Sequence, residues 1–357
     1  MRCGESVDAS RSSSSSSRVN TVVQRSRTVR SRISITIALT ASAALALTGC
    51  ASGGADSSES NSEQGFKVAA FTSGNQTPVG AWWVKATEAQ ATQSGWDMTM
   101  IQGDFDFQKM NPAVESAIGQ GVDVVIDGYT DFASIGSICT AAQDAGVPIF
   151  AIDSGTEPSD CFAVNMITDQ ELIVDQTTGA LGDALGGLDG KNIMIIGHDP
   201  HAGIRKRAAL AEEVFRAAGA NVVGGGIQKV TSPATGRIEA LALVADYLSA
   251  NPGGLDGVWV GWDDAALGAV QAIEEAGTST RVVAVDASAE ALRAIESGGA
   301  FLATAVQPWP EINARLMKAV LAYEEDGTLP TENYIEFPTV LATRENAADI
   351  TPTDELP

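Results

Sequence analysis

VDVVIDG (122–128), SIGSICTAAQDAG (134–146) and VPIFAIDS (147–154) follow one another in the chain, and their reading decides the fold. The first and last are short, nearly unbroken Val/Ile runs. Such runs fit strands covered on both faces, because an exposed face would carry polar residues at every second position. The middle stretch has the length and composition of a helix. A strand, a helix and a second strand in that order form a βαβ unit, which requires the two strands to be parallel.

The same rhythm extends in both directions. Upstream lie the strand KVAAFTS (67–73), the loop GNQTPVG (74–80), the helix AWWVKATEAQATQSG (81–95), the strand WDMTMIQG (96–103) and the helix NPAVESAIGQG (111–121). Downstream the pattern restarts. The helix ELIVDQTTGALGDALGG (171–187) precedes the strand NIMIIGH (192–198) and the helix IRKRAALAEEVFRAAG (204–219). Next come the strand ANVVGGGIQ (220–228), the helix GRIEALALVADYLSANPG (236–253) and the strand LDGVWVGW (255–262). DDAALGAVQAIEEAG (263–277), RVVAVDAS (281–288), AEALRAIESGG (289–299) and FLATAVQ (301–307) continue the alternation. PEINARLMKAVLAYEEDG (310–327) and YIEFPTVLATREN (334–346) complete it. The expected class is α/β, with two doubly wound parallel-sheet lobes in series. In such sheets ligands bind beyond the carboxyl ends of the strands, so a hinged cleft between the lobes is the expected site.

The strand ends support that expectation. They carry Ser73, Asp127, Asp153, His198, Trp262, Asp286 and Gln307. A single Asp after a strand is equally explained by turn chemistry. Seven polar or aromatic ends facing one cleft favour ligand contact as a set.

GQGVDVVIDG (119–128), AGVPIFAIDS (145–154), GIRKRAALAEEVF (203–215), WDDAALGAVQAIEEAG (262–277), VVAVDAS (282–288) and LATAVQPWPEIN (302–313) together resemble, in order and spacing, periplasmic-type sugar-binding proteins of the ribose-binding class. These are the ligand-capturing components of ABC importers, and the resemblance spans Phe66 to about Glu345. It implies a hydroxyl and flanking aromatics from the first-strand loop, here Ser73 and the Trp82–Trp83 pair. It implies an acid at Asp153, followed by Ser154 where the ribose binder has an arginine. It further implies Arg205 from the helix opening GIRKR, Trp262 where the ribose binder has an asparagine, then Asp286 and Gln307. The further aromatic that the ribose binder carries before GRIEA has no equivalent in Pro233-Ala234-Thr235. These departures point away from ribose itself.

The chemistry of these residue types is consistent with a polyol. Each hydroxyl is both donor and acceptor; carboxylates accept from it, a guanidinium donates to it as a planar fork, and an amide does both. The weakly apolar C–H face of a sugar lies well on an indole. Trp82 and Trp83 are helix neighbours, so one is expected in the cleft and the other in the core. Trp96 and Trp259 read as core residues, and Trp309 is open between cleft rim and hinge packing. His198 and His201 in HDPH have only Asp199 close by, short of the three or four ligands zinc takes. No metal or cofactor is expected there; a hydrogen bond from His198 to ligand, or loop structure, is. Arg205, Lys206 and Arg207 oppose the dipole of their helix's first turn, so at least one needs an acid or a ligand to face.

Outside this region lies ISITIALTASAALALTGC (33–50), preceded by Arg27, Arg30 and Arg32. The basic stretch, the apolar core of about fifteen residues and the small residues form the layout of a secretory signal. Its ending, Leu47-Thr48-Gly49-Cys50, resembles the lipobox of bacterial lipoproteins, which implies acylation of Cys50. ASGGADSSESNSEQG (51–65) would then be a flexible tether. Val29 is an alternative start that would shorten the long Ser/Arg-rich leader, with which Cys3 is lost. Without residues 1–49 the chain keeps 15 basic and 43 acidic residues, a net charge of −28. So acidic a surface repels nucleic acid. The two remaining cysteines, Cys139 and Cys161, are a disulfide candidate in an exported protein, or else two buried thiols.

The chain lacks GxSxG, P-loop and HExxH motifs, and no acid pair is set out for glycoside hydrolysis, so an enzyme is not expected. A two-lobe transcription regulator would need a basic DNA-binding segment where this chain has an export signal. The expected function is an extracytoplasmic lipoprotein, monomeric, that captures a small sugar or sugar alcohol for an ABC-importer permease. A receptor serving a sensor or chemotaxis partner, or a binder of a nucleoside, is the alternative. Residues 1–49 are the leader and 50–65 the lipid-anchored tether. Residues 66–166 with 307–337 make one lobe and 167–306 with 338–357 the other. Crossovers are expected near Met166–Thr168, Ala305–Pro308 and Phe337–Thr339.

Overall fold

In a computed structural model of the chain, residues 65–355 are described. The leader, Cys50 and most of the tether lie outside them.

The first half runs β1 (Lys67–Thr72), α1 (Pro78–Ser94), β2 (Asp97–Gln102), α2 (Phe107–Gly119), β3 (Val124–Gly128), α3 (Gly136–Ala145), β4 (Ile149–Ile152) and β5 (Val164–Thr168). Then come α4 (Gln170–Leu185), β6 (Asn192–Gly197), α5 (Ala202–Ala217), β7 (Asn221–Val222), β8 (Gln228–Lys229), α6 (Gly236–Ala250), β9 (Gly257–Val260) and α7 (Asp263–Ala276). The chain closes with β10 (Arg281–Asp286), α8 (Ala289–Ser297), β11 (Phe301–Val306), α9 (Trp309–Asp326), β12 (Tyr334–Phe337) and β13 (Val340–Thr343).

Two sheets result. One has the order β12-β5-β4-β3-β1-β2 and is parallel throughout; the other has the order β13-β11-β10-β9-β6-β7, with β8 also on β6. In the second sheet only β13 runs antiparallel, along β11. Each sheet is covered on both faces, as the Val/Ile runs require. Val68, Ala70, Val124, Ile126, Phe150 and Ile152 face the side of α1 and α9. Their strand neighbours Ala69, Phe71, Val125, Ile149 and Ala151 face α2 and α3. In the second lobe Met194, Ile196, Val258 and Val260 meet α6, α7 and α8, whereas Ile193, Ile195, Trp259 and Val283 meet α4 and α5. The period-two alternation of strand side chains produces this division.

The chain passes between the sheets three times: after Thr168, after Val306 and between Phe337 and Val340. YIEFPTVLATREN supplies both β12 and β13, one to each sheet. Pro338 has no N–H for a ladder, and the chain changes sheets there. α2 begins at Phe107, earlier than the sequence pattern indicates, because Asp106 caps it by accepting from Lys109 N at 3.2 Å; Pro112 then sits inside the helix. ANVVGGGIQ breaks into the short β7 and β8, since Gly224, Gly225 and Gly226 all take positive φ. Cys139 and Cys161 are bridged, tying α3 to the segment before β5 over a separation of 22 residues. Closing a loop of that length stabilises the fold by about 3 kcal/mol on the chain-entropy account.

Candidate functional site

Strand and helix ends from both lobes line a cavity of about 50 Å³ at the crossovers. The first lobe contributes Thr77, Phe105, Tyr129 and Asp153 to its wall. The second contributes His201, Arg207, Pro233, Trp262 and Asp286, and Gln307 and Trp309 stand at a crossover.

Arg207 is the central charge. It sits on the apolar face of α5 with Ile204, Ala208, Ala211 and Phe215, and only 2% of it is exposed. Its Nε donates to Gly261 O at 2.9 Å, and Nη1 to Gln170 Oε1 at 3.1 Å and Gln307 Oε1 at 3.5 Å. Nη2 is left for the cavity. Asp153 and Asp286 flank the guanidinium. Burial raises the Asp153 carboxyl to about 6 against the pull of Arg207. Burial likewise raises Asp286 to about 7, again opposed by Arg207 and by the Gln307 hydrogen bond. Behind them, burial and Asp286 push Asp263 well above the usual carboxylate range; it accepts from Ser288 N at 2.8 Å and Thr304 Oγ1 at 2.7 Å.

The histidines are neutral, and their tautomers follow from their partners. His201 Nδ1 accepts from Ile204 N at 3.3 Å, so Nε2 carries the proton and faces Asp153 Oδ2 at 3.4 Å. Burial and the charge of Arg207 hold its pKa well below the usual histidine value. His198 Nδ1 lies 3.1 Å from Val230 O, which only accepts, so His198 Nε2 is a bare acceptor.

Four of the eleven buried polar side-chain atoms without a protein partner among the described residues belong to residues that line the cavity: Tyr129 Oη, Asp153 Oδ1, Trp262 Nε1 and Trp309 Nε1. Each costs about 1–3 kcal/mol if left unpaired. Backbone strain gathers there too. Of the six non-glycine residues with positive φ among the described residues, four, namely Phe105, Tyr129, Asp153 and Asp286, line the cavity. Such strain persists where the surroundings over-determine it. At Asp286 the brace is visible: Thr353 donates its hydroxyl to Asp286 O at 2.8 Å and its N–H to Ala287 O at 3.1 Å.

Of the residues singled out in the sequence, Asp153, Trp262, Asp286, Gln307 and Trp309 line the cavity. His198 stands behind the wall, its ring edge-on to Phe105 and Trp262 at 5.6 and 6.4 Å. Ser73 supports the wall by donating to Tyr129 O at 2.6 Å. Asp127 and Ser154 are buried below it. Asp127 accepts from Thr130 Oγ1 at 2.6 Å, and Ser154 binds Ile152 O and Asn165 Oδ1. Trp82 and Trp83 are both in the core, 3% and 0% exposed. The cluster that α1 enters also contains Trp309, Ile312 and Leu316 of α9, so both neighbours find apolar surroundings. The Trp83 ring lies over Gly128, where an added Cβ would come within 2.9 Å of it. Arg205 points to the rim, and the cavity arginine is Arg207; positions two apart on a helix face about 200° apart. Tyr129, His201 and Phe105 were not foreseen as wall residues. Arg207 had a legible signal, being a cation on the apolar stripe of its helix.

Two doubly wound lobes, three crossovers and a cavity between them define a two-lobe solute-binding protein of the periplasmic type. Residues 69–327 match the family described as "Periplasmic binding protein domain", and the chain belongs to that family. It is 27% identical over 277 residues to the xylitol-binding protein of Mycolicibacterium smegmatis, covering 76% of this chain and 74% of the relative. It is 25% identical over 253 residues to the ribose import binding protein RbsB of Bacillus subtilis, covering 70% and 79%. Its fold is also that of an ABC-transporter solute-binding protein from Agrobacterium vitis with bound allitol. There the TM-score is 0.72 at 21% identity, over 80% of this chain and 98% of that one.

Proposed function

We propose that this protein is the extracytoplasmic receptor of an ABC importer and closes on a single small polyhydroxylated molecule. A sugar alcohol or pentose is the favoured ligand. The observation that carries the reading is that Asp153, Arg207, Asp286 and Gln307 line one cavity together with Tyr129, Trp262 and Trp309. A neutral polyol answers this set because each hydroxyl donates to a carboxylate while accepting from a guanidinium or indole N–H. The indole of Trp262 supplies an apolar wall for the carbon chain. The xylitol, ribose and allitol named for the relatives are of this class.

The three crossovers act as the hinge, and ligand stabilises the closed state through contacts made only there. Cys50 carries the lipid that tethers the monomeric receptor to the outer face of the membrane, beside its permease. Replacing Cys50 by Ala should release the protein from the membrane fraction; retention there would refute the anchor.

Thermal unfolding against pentitols, hexitols, pentoses, hexoses, nucleosides and amino acids tests the ligand class. A ligand at 100 times its Kd stabilises by about 2.7 kcal/mol, a shift of several degrees in a protein of this size. The account expects a shift from a polyol or pentose that disappears in Asp286→Ala. A shift from amino acids or nucleosides alone would refute it.

A further inference from the structure

We propose that Arg205 and Asp131 form a latch across the mouth of the cleft, setting the balance between open and closed lobes and thereby scaling affinity for every ligand alike. Asp131 belongs to the loop after β3 in the first lobe, and Arg205 to the first turns of α5 in the second. Arg205 Nη2 donates to Asp131 Oδ2 at 2.7 Å, with the arginine side chain 46% exposed and the acid 6%. The other guanidinium nitrogen, Nη1, donates to Asp199 O, which fixes the arginine to its own lobe.

The socket on the first lobe is built in advance. Asp131 Oδ1 accepts from Ala133 N at 3.1 Å, and the preceding Thr130 is bonded to buried Asp127 at 2.6 Å. Beside the pair, Lys206 Nζ donates to Thr156 O at 3.5 Å, again from α5 to the first lobe. None of these four residues lines the cavity. Their contacts exist only while the lobes meet, so they add to the closed state without touching what it encloses. A contact of that kind multiplies the affinity of all ligands by one factor, because apparent affinity scales with the population of the competent state. Arg205 is half in water, so the factor is modest and weakens with salt.

The test uses Arg205→Met, which keeps the apolar stem, Asp131→Asn, which keeps an acceptor for Ala133, and the double variant. The affinity readout rests on the polyol reading of the cavity; the ligand-free readout does not. Calorimetry with a pentitol, a hexitol and an aldopentose should show each single variant weakened about three- to fivefold for all three. Selectivity should be unchanged, and the double variant no weaker than either single one. A loss of tenfold or more confined to one ligand would make Arg205 a ligand contact and overturn the latch, as would unchanged affinities. Spin labels on α2 and α6 give the inter-lobe distances of the ligand-free protein, which should lengthen in both variants. If the parent protein binds none of the three ligands, the polyol reading falls and these distances alone decide; distributions identical to the parent's overturn the latch.

Discussion

Gln307 Nε2 donates to Asp286 Oδ1 across 2.7 Å, so a crossover residue holds one of the two cavity acids. The same amide accepts from Thr168 Oγ1 at 2.7 Å, at another crossover, and from Arg207 at 3.5 Å. Hinge and site therefore share one side chain. Gln307→Leu leaves the Thr168 hydroxyl without its acceptor, removes the longer of the two Arg207 Nη1 bonds and frees Asp286. It should weaken polyol binding about tenfold to a hundredfold, the loss expected for one or two buried hydrogen bonds. Affinity within about twofold of the parent, measured by calorimetry, would refute the coupling.

Arg207→Met removes the only cation among Asp153, Asp263 and Asp286. Stripping a buried charge of its partner costs about 3–5 kcal/mol unless the remaining group neutralises itself. These acids already have raised pKa values, so the cost depends on pH. The variant should lose binding at every pH, and lose far more thermal stability at pH 8 than at pH 5. Equal losses at both would contradict the buried-charge account.

Asp127 is fully buried, with Oδ1 unpartnered, and burial raises its pKa to about 7 despite the hydrogen bond from Thr130. A carboxyl with a folded-state pKa above its unfolded value of about 4 stabilises most below that value. Its contribution falls as pH rises from about 4 to about 7 and is constant above. Asp127→Asn does not titrate. Its melting temperature should draw ahead of the parent's across that window, reaching several degrees by pH 8; parallel melting curves from pH 4 to 8 would contradict the assignment.

Gly236 opens α6 against the wall of the cavity, and a Cβ there would lie 2.5 Å from Trp262 Cζ2. Alanine is otherwise the better helix residue by about 1 kcal/mol. Gly236→Ala should shift the indole and weaken binding, hexitols more than pentitols, while unfolding temperature changes little. Unaltered affinity would mean that Trp262 does not touch the ligand.

Strand runs such as VDVVIDG and the acids that end IFAID and VVAVD were legible because parallel sheets force long apolar runs and present their carboxyl ends to the cleft. Helix phase was not. Arg205 and Arg207 differ by two positions, and only the apolar stripe of α5 says which points inward. The burial of both Trp82 and Trp83 depends on α9, which returns to the first lobe more than two hundred residues later. Tyr129 enters the wall through a left-handed φ of 59°, which no periodicity announces.

Calorimetric titration of the protein with a five-carbon sugar alcohol at pH 6.5, in buffers of different ionisation enthalpy, tests the central claim most directly. Asp153 faces Arg207 and His201, and Asp286 faces Arg207, Asp263, Gln307 and Asp153. Hydroxyls donating to the two carboxyls favour their ionised forms, so binding should be one-to-one and release protons, tightening as pH rises toward 8. Absence of heat with every polyol and pentose, or binding without proton release that survives Asp286→Ala, would contradict the account.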